Sequence, residues 1–243
     1  ELAPGQVTLY PGLTHYISLC IAARTQVAIH PLPVLVFCGA RYQPGPDAVP
    51  PAAAPPLLSP EERTRVLVQV RGGRDGEEWS NLPGSLQEGQ DICRIWYPDN
   101  ARRRESALFH GILASEEAVK ALSGGLKQGA AVLKLEDARI LHFAVHGKAD
   151  LKAAETSRLI LTRKSALTAA EKTTMGKWFP DFQGEDGDLN AAEILALSVR
   201  ADLVILSACQ TGMGRVTETE GILGLTRSWF IAGARAVLVS LWN

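Results

Sequence analysis

Apolar residues along this chain fall into short continuous runs that are separated by amphipathic and polar stretches. Such runs occupy 32–40, 139–145, 201–208 and 235–242, and a shorter one occupies 158–162. A short run that stays apolar at nearly every position predicts a strand buried on both faces, because a half-solvated strand alternates apolar with polar side chains. The pattern therefore predicts five buried strands.

Helices are predicted between the strands, where capping residues precede amphipathic stretches. Ser115 can cap one helix, and Asn190 with Glu193 three positions later forms a capping box for another. A further helix is predicted at 221–232, with Gly233 placed to end it. This alternation of strands and helices predicts an α/β fold with a mainly parallel sheet covered on both faces.

Two segments break the alternation and are predicted to be surface loops. The segment 43–58 is dense in proline and alanine, and the segment 163–188 is largely polar. Between these loops, Ser59 begins a capping-box pattern, although 66–70 can equally be extended. Because long structureless loops in compact domains tend to be functional or disordered, 163–188 is our hypothesis for a regulatory segment that is ordered or cut on activation.

Composition adds little to this picture. The 243 residues carry a formal net charge of −1, with 46% hydrophobic and 21% charged residues, which is ordinary for a soluble globular protein and predicts no general attraction to nucleic acid or membrane. The chain starts at Glu1 without a signal-peptide pattern, so we expect a fragment or a processed chain. The four cysteines form no C-x-x-C pair, which disfavours zinc ribbons and thioredoxin-type chemistry and predicts reduced thiols in a cytoplasmic protein.

The candidate chemistry lies at two residues, His146 and Cys209, each just past the end of an apolar strand. Functional groups of α/β sheets gather at the carboxyl ends of strands, so neighbouring strands would bring the two side chains together. An imidazole can draw the proton from a thiol and later protonate a leaving amine. Gly147 lets a substrate carbonyl approach its backbone N–H closely, and with the N–H of Cys209 it can form an oxyanion hole.

Other interpretations of these residues stay open. A lone cysteine is more often a small buried hydrophobe than a nucleophile. His142 and His146 have the spacing of a helical zinc pair, but their flanks predict a strand and no glutamate follows the first histidine. The turn 212–214 is too short a glycine pattern for a nucleotide-binding loop, which makes nucleotide binding the weakest of these alternatives.

Three segments, 138–147, 189–212 and 220–242, resemble the CHAT domain family of caspase-like cysteine proteases, which are related to separase and often joined to tetratricopeptide repeats. The resemblance implies a caspase-like three-layer α/β sandwich over 1–243, incomplete at both ends. It also implies an endopeptidase with a His146–Cys209 dyad and an oxyanion hole at Gly147 and Cys209. No cofactor or metal is expected. The implied partners are a protein or peptide substrate and a regulatory sensor, repeat domain or partner protein, with no nucleic acid and no membrane.

A charged group in the first pocket of such proteases usually selects the residue before the cut. The candidate substrate-binding residues here are Ser207, Glu155, Asp186 and Asp188. Glu218 and Glu220 are further acidic candidates, although each of these carboxylates has the plain alternative of a solvated loop charge. The competing function is a catalytically silent scaffold of the same fold, and peptide cleavage would separate the two.

Overall fold

The computed structural model describes residues 30–43, 79–128, 131–150, 156–182, 185–208 and 219–240. The strands in these ranges are β1 (Leu32–Ala40), β2 (Leu108–Gly111), β3 (Leu126–Gln128), β4 (Ala131–Leu133), β5 (Ala138–Ala144), β6 (His146–Lys148), β7 (Arg158–Ile160), β8 (Asp188–Asn190), β9 (Leu203–Leu206) and β10 (Val237–Val239). The α-helices are α1 (Pro83–Trp96), α2 (Ala101–Ala107), α3 (Glu116–Gly124), α4 (Ala169–Trp178), α5 (Ala191–Leu195) and α6 (Thr219–Ala232).

A five-stranded sheet forms the centre of this structure, in the order β10-β9-β5-β1-β2, and its adjacent strands are parallel. Parallel strands need long connections that return over the sheet, so their two faces become covered. In β1 the five residues from Val34 to Cys38 have no solvent exposure. The prediction of a mainly parallel sheet is therefore confirmed, but β2 was not among the predicted strands, and β10 is an edge strand with Leu238 52% exposed rather than a strand buried on both faces.

Helices cover opposite faces of this sheet. On one face Phe37 stacks on Phe143 with ring centroids 4.8 Å apart, and Trp229 of α6 packs against Phe143. On the other face α1 lies so close to β1 that a Cβ at Gly89 would come within 2.3 Å of the sulfur of Cys38. Because consecutive strand residues point to opposite faces, α1 and α6 form separate outer layers. The fold is thus the three-layer α/β sandwich that the resemblance implied.

A small antiparallel sheet, β6-β7-β8, follows β5, with only Val145 between the end of β5 and the start of β6. Its register places His146 opposite Ile160, and Ile160 opposite Asp188. The apolar run at 158–162 contributes β7 to this small sheet rather than to the central one. His146 therefore lies where the chain passes from the carboxyl end of β5 into this second sheet.

Local capping signals are confirmed in three places. The Ser115 hydroxyl accepts a hydrogen bond from Ala118 N at the start of α3, and Asn190 and Glu193 form a reciprocal capping box at α5. Gly233 follows α6 with φ of +118°, a conformation that strongly favours glycine. These contacts involve neighbours within four positions, which is why the sequence predicts them well.

The segment 163–188 is not the long irregular loop that its polarity predicted. It contains 3-10 turns at Lys164–Ala166 and Pro180–Phe182, and the ten-residue helix α4 begins with a capping box formed by Thr168 and Glu171. The guanidinium of the buried Arg41 donates a hydrogen bond to Glu171 and anchors α4 to the end of β1. The prediction was wrong because a solvent-facing helix has mostly polar side chains, and polarity alone does not separate it from a loop.

The remaining predicted segments lie outside the described residues. This applies to the proline-rich loop after Gln43, to the capping pattern at Ser59 and to the ambiguous 66–70. Within the ranges that are described, no helix is both long enough and apolar enough to cross a membrane.

Candidate active site

The register of β5 and β9 aligns the strand ends that precede the two predicted catalytic positions. These strands are parallel neighbours, with Phe143 opposite Leu206, and Ser207 N donates a hydrogen bond to Phe143 O at 2.9 Å. His146 follows Phe143 by three residues, and Cys209 follows Leu206 by three. Cys209 itself lies outside the described residues, which reach Ala208 on this strand.

The imidazole of His146 is held in a defined orientation inside the protein. Only 2% of the residue is exposed, and its Nε2 lies 2.8 Å from the carbonyl oxygen of Ser80. A carbonyl can only accept a hydrogen bond, so we infer that Nε2 carries the proton. In the neutral imidazole Nδ1 is then the basic nitrogen.

Two aromatic side chains enclose this imidazole. The ring centroids of Tyr42 and Trp79 lie 4.7 and 4.8 Å from that of His146. The hydroxyl of Tyr42 accepts a hydrogen bond from His146 N at 3.1 Å and donates one to Ile160 O at 2.9 Å. Burial lowers the pKa of His146, and the hydrogen bond to the Ser80 carbonyl opposes that shift only in part. The arrangement keeps the imidazole neutral at neutral pH.

Gly147, the proposed donor to the oxyanion, directly follows His146 in the sequence. It is buried in β6, directly after His146 and opposite Leu159 of β7. Its donation to an oxyanion depends on where Cys209 lies, so that role stays a prediction.

The predicted substrate-binding residues occupy different surroundings. Ser207 follows β9 and is partly buried, whereas Asp186 is exposed and its carboxylate accepts a hydrogen bond from Asp188 N. The Asp188 carboxylate contacts two guanidinium groups, with 2.9 Å to Arg158 Nε and 2.5 Å to Arg163 Nη2. It therefore lies in an ion-pair network two strands from His146. Glu155 and Glu218 are outside the described residues, and Glu220 lies in the first turn of α6.

His142 is separated from His146 by the geometry of β5. Its Nε2 lies 2.8 Å from Glu88 Oε1 of α1, and the residue is 4% exposed. Because β5 residues 142 and 143 point to opposite faces, His142 faces the α1 layer. Within the described part of the chain, neither histidine belongs to a group of three metal-ligating side chains.

A charged cluster that the sequence did not predict joins α3 to α5. The ammonium of Lys120 lies 2.7 Å from Glu116 and 2.9 Å from Glu193, and it also contacts Glu185. Glu116 is 1% exposed, and its other oxygen accepts a hydrogen bond from Gly187 N at 2.9 Å. Burial, together with the neighbouring Glu185 carboxyl, raises the pKa of Glu116 to about 8. The three carboxyl groups have the spacing of a cation site, and the Lys120 ammonium lies among them.

Tyr42, Trp79 and Ser80 are the site residues that sequence reasoning missed. Ser80 acts through its main-chain carbonyl, which every residue type has, so no letter of the sequence could indicate it. Tyr42 and Trp79 are 37 positions apart, and only the fold shows that they meet at one imidazole.

Comparison with known proteins identifies the family to which this fold belongs. The family description that matches is the CHAT domain, over residues 49–243. Tetratricopeptide repeat protein 28 of Mus musculus is 48% identical over 54 residues, and its Homo sapiens counterpart is 44% identical over a segment of the same length. That segment is 22% of this chain, and it spans about 2% of the length of each of these relatives. Since the family match extends over most of the sequence, the chain belongs to the CHAT domain family.

Proposed function

We propose that this chain is the catalytic domain of a cysteine endopeptidase in which Cys209 is the nucleophile and His146 is its proton-transfer partner. One observation carries the proposal. His146 Nε2 lies 2.8 Å from the Ser80 carbonyl just past the carboxyl end of β5, which leaves Nδ1 as the basic nitrogen, and the adjacent β9 precedes Cys209 by three residues in sequence. A neutral imidazole beside a thiol is the combination that thiol proteases use to make their nucleophile.

The chemistry follows from these proton positions. Nδ1 of His146 takes the thiol proton, and the thiolate sulfur of Cys209 attacks the carbonyl carbon of a peptide bond. The resulting oxyanion would be bound by the N–H groups of Gly147 and Cys209. The imidazolium then gives its proton to the leaving amine, and a thioester remains on Cys209. Water, deprotonated by Nδ1, attacks that thioester and releases the carboxylic acid with restoration of the thiol.

The Ser80 carbonyl supports the imidazolium in this cycle. When Nδ1 gains a proton the ring becomes positive, and the carbonyl oxygen at Nε2 then accepts a charge-assisted hydrogen bond. Burial works in the opposite direction, because it disfavours the charged ring. The resting state that we propose is therefore a neutral thiol and imidazole, and the ion pair forms only when substrate or a partner stabilises it.

We infer that an attached repeat domain, sensor or partner protein supplies this activation. The support is that the similar mouse and human proteins are named for their tetratricopeptide repeats. The proposed substrate is a protein or peptide, with Ser207 the best placed of the candidate contacts because it lies between β9 and Cys209. A cytoplasmic location is proposed on the ground that Cys38 and Cys93 are free thiols.

A catalytically silent scaffold is the second candidate. Its support is that the same two relatives are named for their tetratricopeptide repeats, and that burial disfavours the imidazolium form of His146 that proton transfer requires. Under this hypothesis the fold would serve only to bind other proteins.

Cleavage of an internally quenched peptide library decides between the two. The library is incubated with the wild type, with Cys209→Ala and with His146→Ala, in this chain and in the full-length polypeptide. Cleavage by the wild type that both substitutions abolish supports the peptidase. His110→Ala, which changes an exposed histidine of β2, is the matched control and should keep full activity. Absence of cleavage in every form, including the full-length polypeptide, would favour the scaffold.

A further inference from the structure

A cavity of about 200 Å³ opens between α3 and α4. Its walls come from the first turn of α3, from the 3-10 turn before α4 and from one side of α4. The residues that line it are Glu117, Lys164, Leu167, Lys172, Met175, Gly176 and Phe179. A water molecule in the liquid occupies about 30 Å³, so the space holds several waters or roughly one large side chain. Close-packed protein interiors leave few gaps of this size, which makes this α3–α4 cavity a candidate binding site.

The floor of the α3–α4 cavity is apolar. Leu167, Met175 and Phe179 line it and are 8%, 5% and 3% exposed. Gly176 widens the space, because a Cβ added to this residue would meet no atom within 4 Å. Water above such a floor finds no hydrogen-bond partner there, so an apolar side chain that displaces it binds favourably.

Charged side chains surround this floor. The ammonium of Lys164 lies 3.6 Å from the carboxylate of Glu117, which is longer than a hydrogen bond, and Lys172 is exposed on α4. Two ammonium groups and one carboxylate give the lining a net charge of +1. An acidic group beside the apolar side chain would therefore complement the cavity.

The α4 wall of the cavity is anchored to the central sheet. Glu171 of α4 accepts a hydrogen bond from the guanidinium of the buried Arg41. Arg41 directly precedes Tyr42, whose ring packs on that of His146. The wall is therefore preformed for a ligand, which lowers the cost of binding, and it is connected to the residues around the imidazole.

We propose that the α3–α4 cavity binds one large apolar side chain from a peptide segment of a partner protein, with an acidic residue next to it in that segment. The floor buries the apolar side chain, which is worth a factor of about 10–150 in affinity. Lys164 and Lys172 attract the acidic residue, and such an exposed ion pair adds a factor of about two to five. The inference concerns binding and does not rest on the proposed peptidase function.

The test follows the ε-methyl signal of Met175 in carbon-13 NMR spectra of this chain. The sequence has two methionines, so Met213→Leu identifies the Met175 signal by elimination. The probes are nine-residue glycine–serine peptides with a central leucine or phenylalanine flanked by two aspartates. We expect these peptides to shift the Met175 signal. A central alanine should weaken binding at least about tenfold, and lysines in place of the aspartates should weaken it about fivefold.

Four variants locate the binding. Gly176→Leu fills the cavity from a helical position where leucine is more favourable than glycine, and it should abolish the peptide-dependent shift. Gly124→Leu is the matched control, because this exposed residue ends α3 and its added Cβ would also meet no atom within 4 Å. Lys172→Glu should weaken binding of the aspartate peptides about fivefold, whereas Lys177→Glu, on α4 but outside the cavity lining, should not.

Three results would overturn the proposal. An unchanged Met175 signal with every peptide at millimolar concentration would show that the cavity accepts no peptide side chain. Equal binding of the alanine peptide, or binding that persists in Gly176→Leu, would place the peptide elsewhere on the surface. Tighter binding of the lysine-flanked peptides would show that Glu117 sets the charge preference and would refute an acidic partner. Because none of these measurements involves Cys209, their failure leaves the proposed peptidase function to its own test.

Discussion

The hydroxyl of Tyr42 lies 3.1 Å from the backbone nitrogen of His146, and through the same oxygen it also reaches the carbonyl of Ile160. The side chain of Tyr42, two residues after β1 ends, therefore links the backbones of β6 and β7 beside the imidazole. Burial raises the pKa of Tyr42, so its hydroxyl stays protonated and able to donate at physiological pH.

Tyr42→Phe should disturb the site more than it disturbs the fold. The substitution keeps the ring but removes both hydrogen bonds and leaves His146 N and Ile160 O unpaired, so we expect a loss of about 1–3 kcal/mol in the free energy of unfolding. We also expect shifted His146 ring resonances in the NMR spectrum. Tyr97→Phe is the matched control, because its hydroxyl bridges Val34 O and Val34 N away from the site. Identical His146 spectra in both variants would contradict a positioning role for Tyr42.

The protonation state of His146 can be measured directly by nitrogen-15 NMR. Because Nε2 faces the Ser80 carbonyl, we expect the proton on Nε2 and an unprotonated Nδ1 in the neutral ring. Burial should place the pKa below the usual value of 6.5, so the base stays available as the pH falls through that value. Any cleavage activity should show an acid limb below pH 6.5. A proton found on Nδ1, or a pKa above 6.5, would refute this assignment.

Glu116 should make the stability of the protein depend on pH. Its pKa is raised to about 8 in the folded chain from an ordinary value of 4.5, so its contribution is fully present below pH 4.5 and is lost as the pH rises through 8. Glu116→Gln should therefore flatten the decline in stability between pH 5 and pH 8. Urea unfolding at several pH values measures this, with Glu105→Gln on the exposed surface of α2 as control. Parallel curves for Glu116→Gln and wild type would show that Glu116 does not cause the decline.

The ammonium of Lys120 should stabilise the folded protein. Lys120→Met leaves Glu116, Glu185 and Glu193 facing one another without the ammonium, so we expect destabilisation by about 3 kcal/mol. Lys177→Met, at an exposed position of α4, should change stability little. A small effect of Lys120→Met that matches this control would show that solvent screens the cluster.

Gly233 should tolerate no side chain. Its φ is +118°, and an added Cβ would lie 1.9 Å from Val199 O, so Gly233→Ala should cost at least about 2 kcal/mol. Gly176→Ala is the opposite case, because it lies within α4 with nothing near its added Cβ, and it should stabilise the protein by about 0.5–1 kcal/mol. Thermal unfolding of the two variants should thus shift in opposite directions.

The sequence predicts what local chemistry determines. The bounds of β1 are reproduced from its apolar run, and the caps at Ser115 and Asn190 follow from contacts within four positions. The apolar run at 158–162 predicts β7, but its membership of a separate small sheet with the three-residue strands β6 and β8 carries no such signal, because that pairing joins segments that are far apart in the chain. The Thr168–Glu171 capping box is also a local signal, but the loop predicted at 163–188 was based on the polarity of the segment and not on this pattern. At the site, the position of His146 could be predicted from the end of β5, whereas the residues that enclose it could not.

The Ser80 carbonyl has a consequence for genetic experiments. The atom that fixes the His146 proton belongs to the main chain, so no substitution of the Ser80 side chain removes it. A saturation scan would score position 80 as tolerant, and an alignment column there would look uninformative. Inserting or deleting one residue between Trp79 and Pro83 would instead carry the carbonyl away from the ring. The position of this proton therefore depends on the number of residues between Trp79 and Pro83. A comparison of residue identities, position by position, does not detect such a dependence.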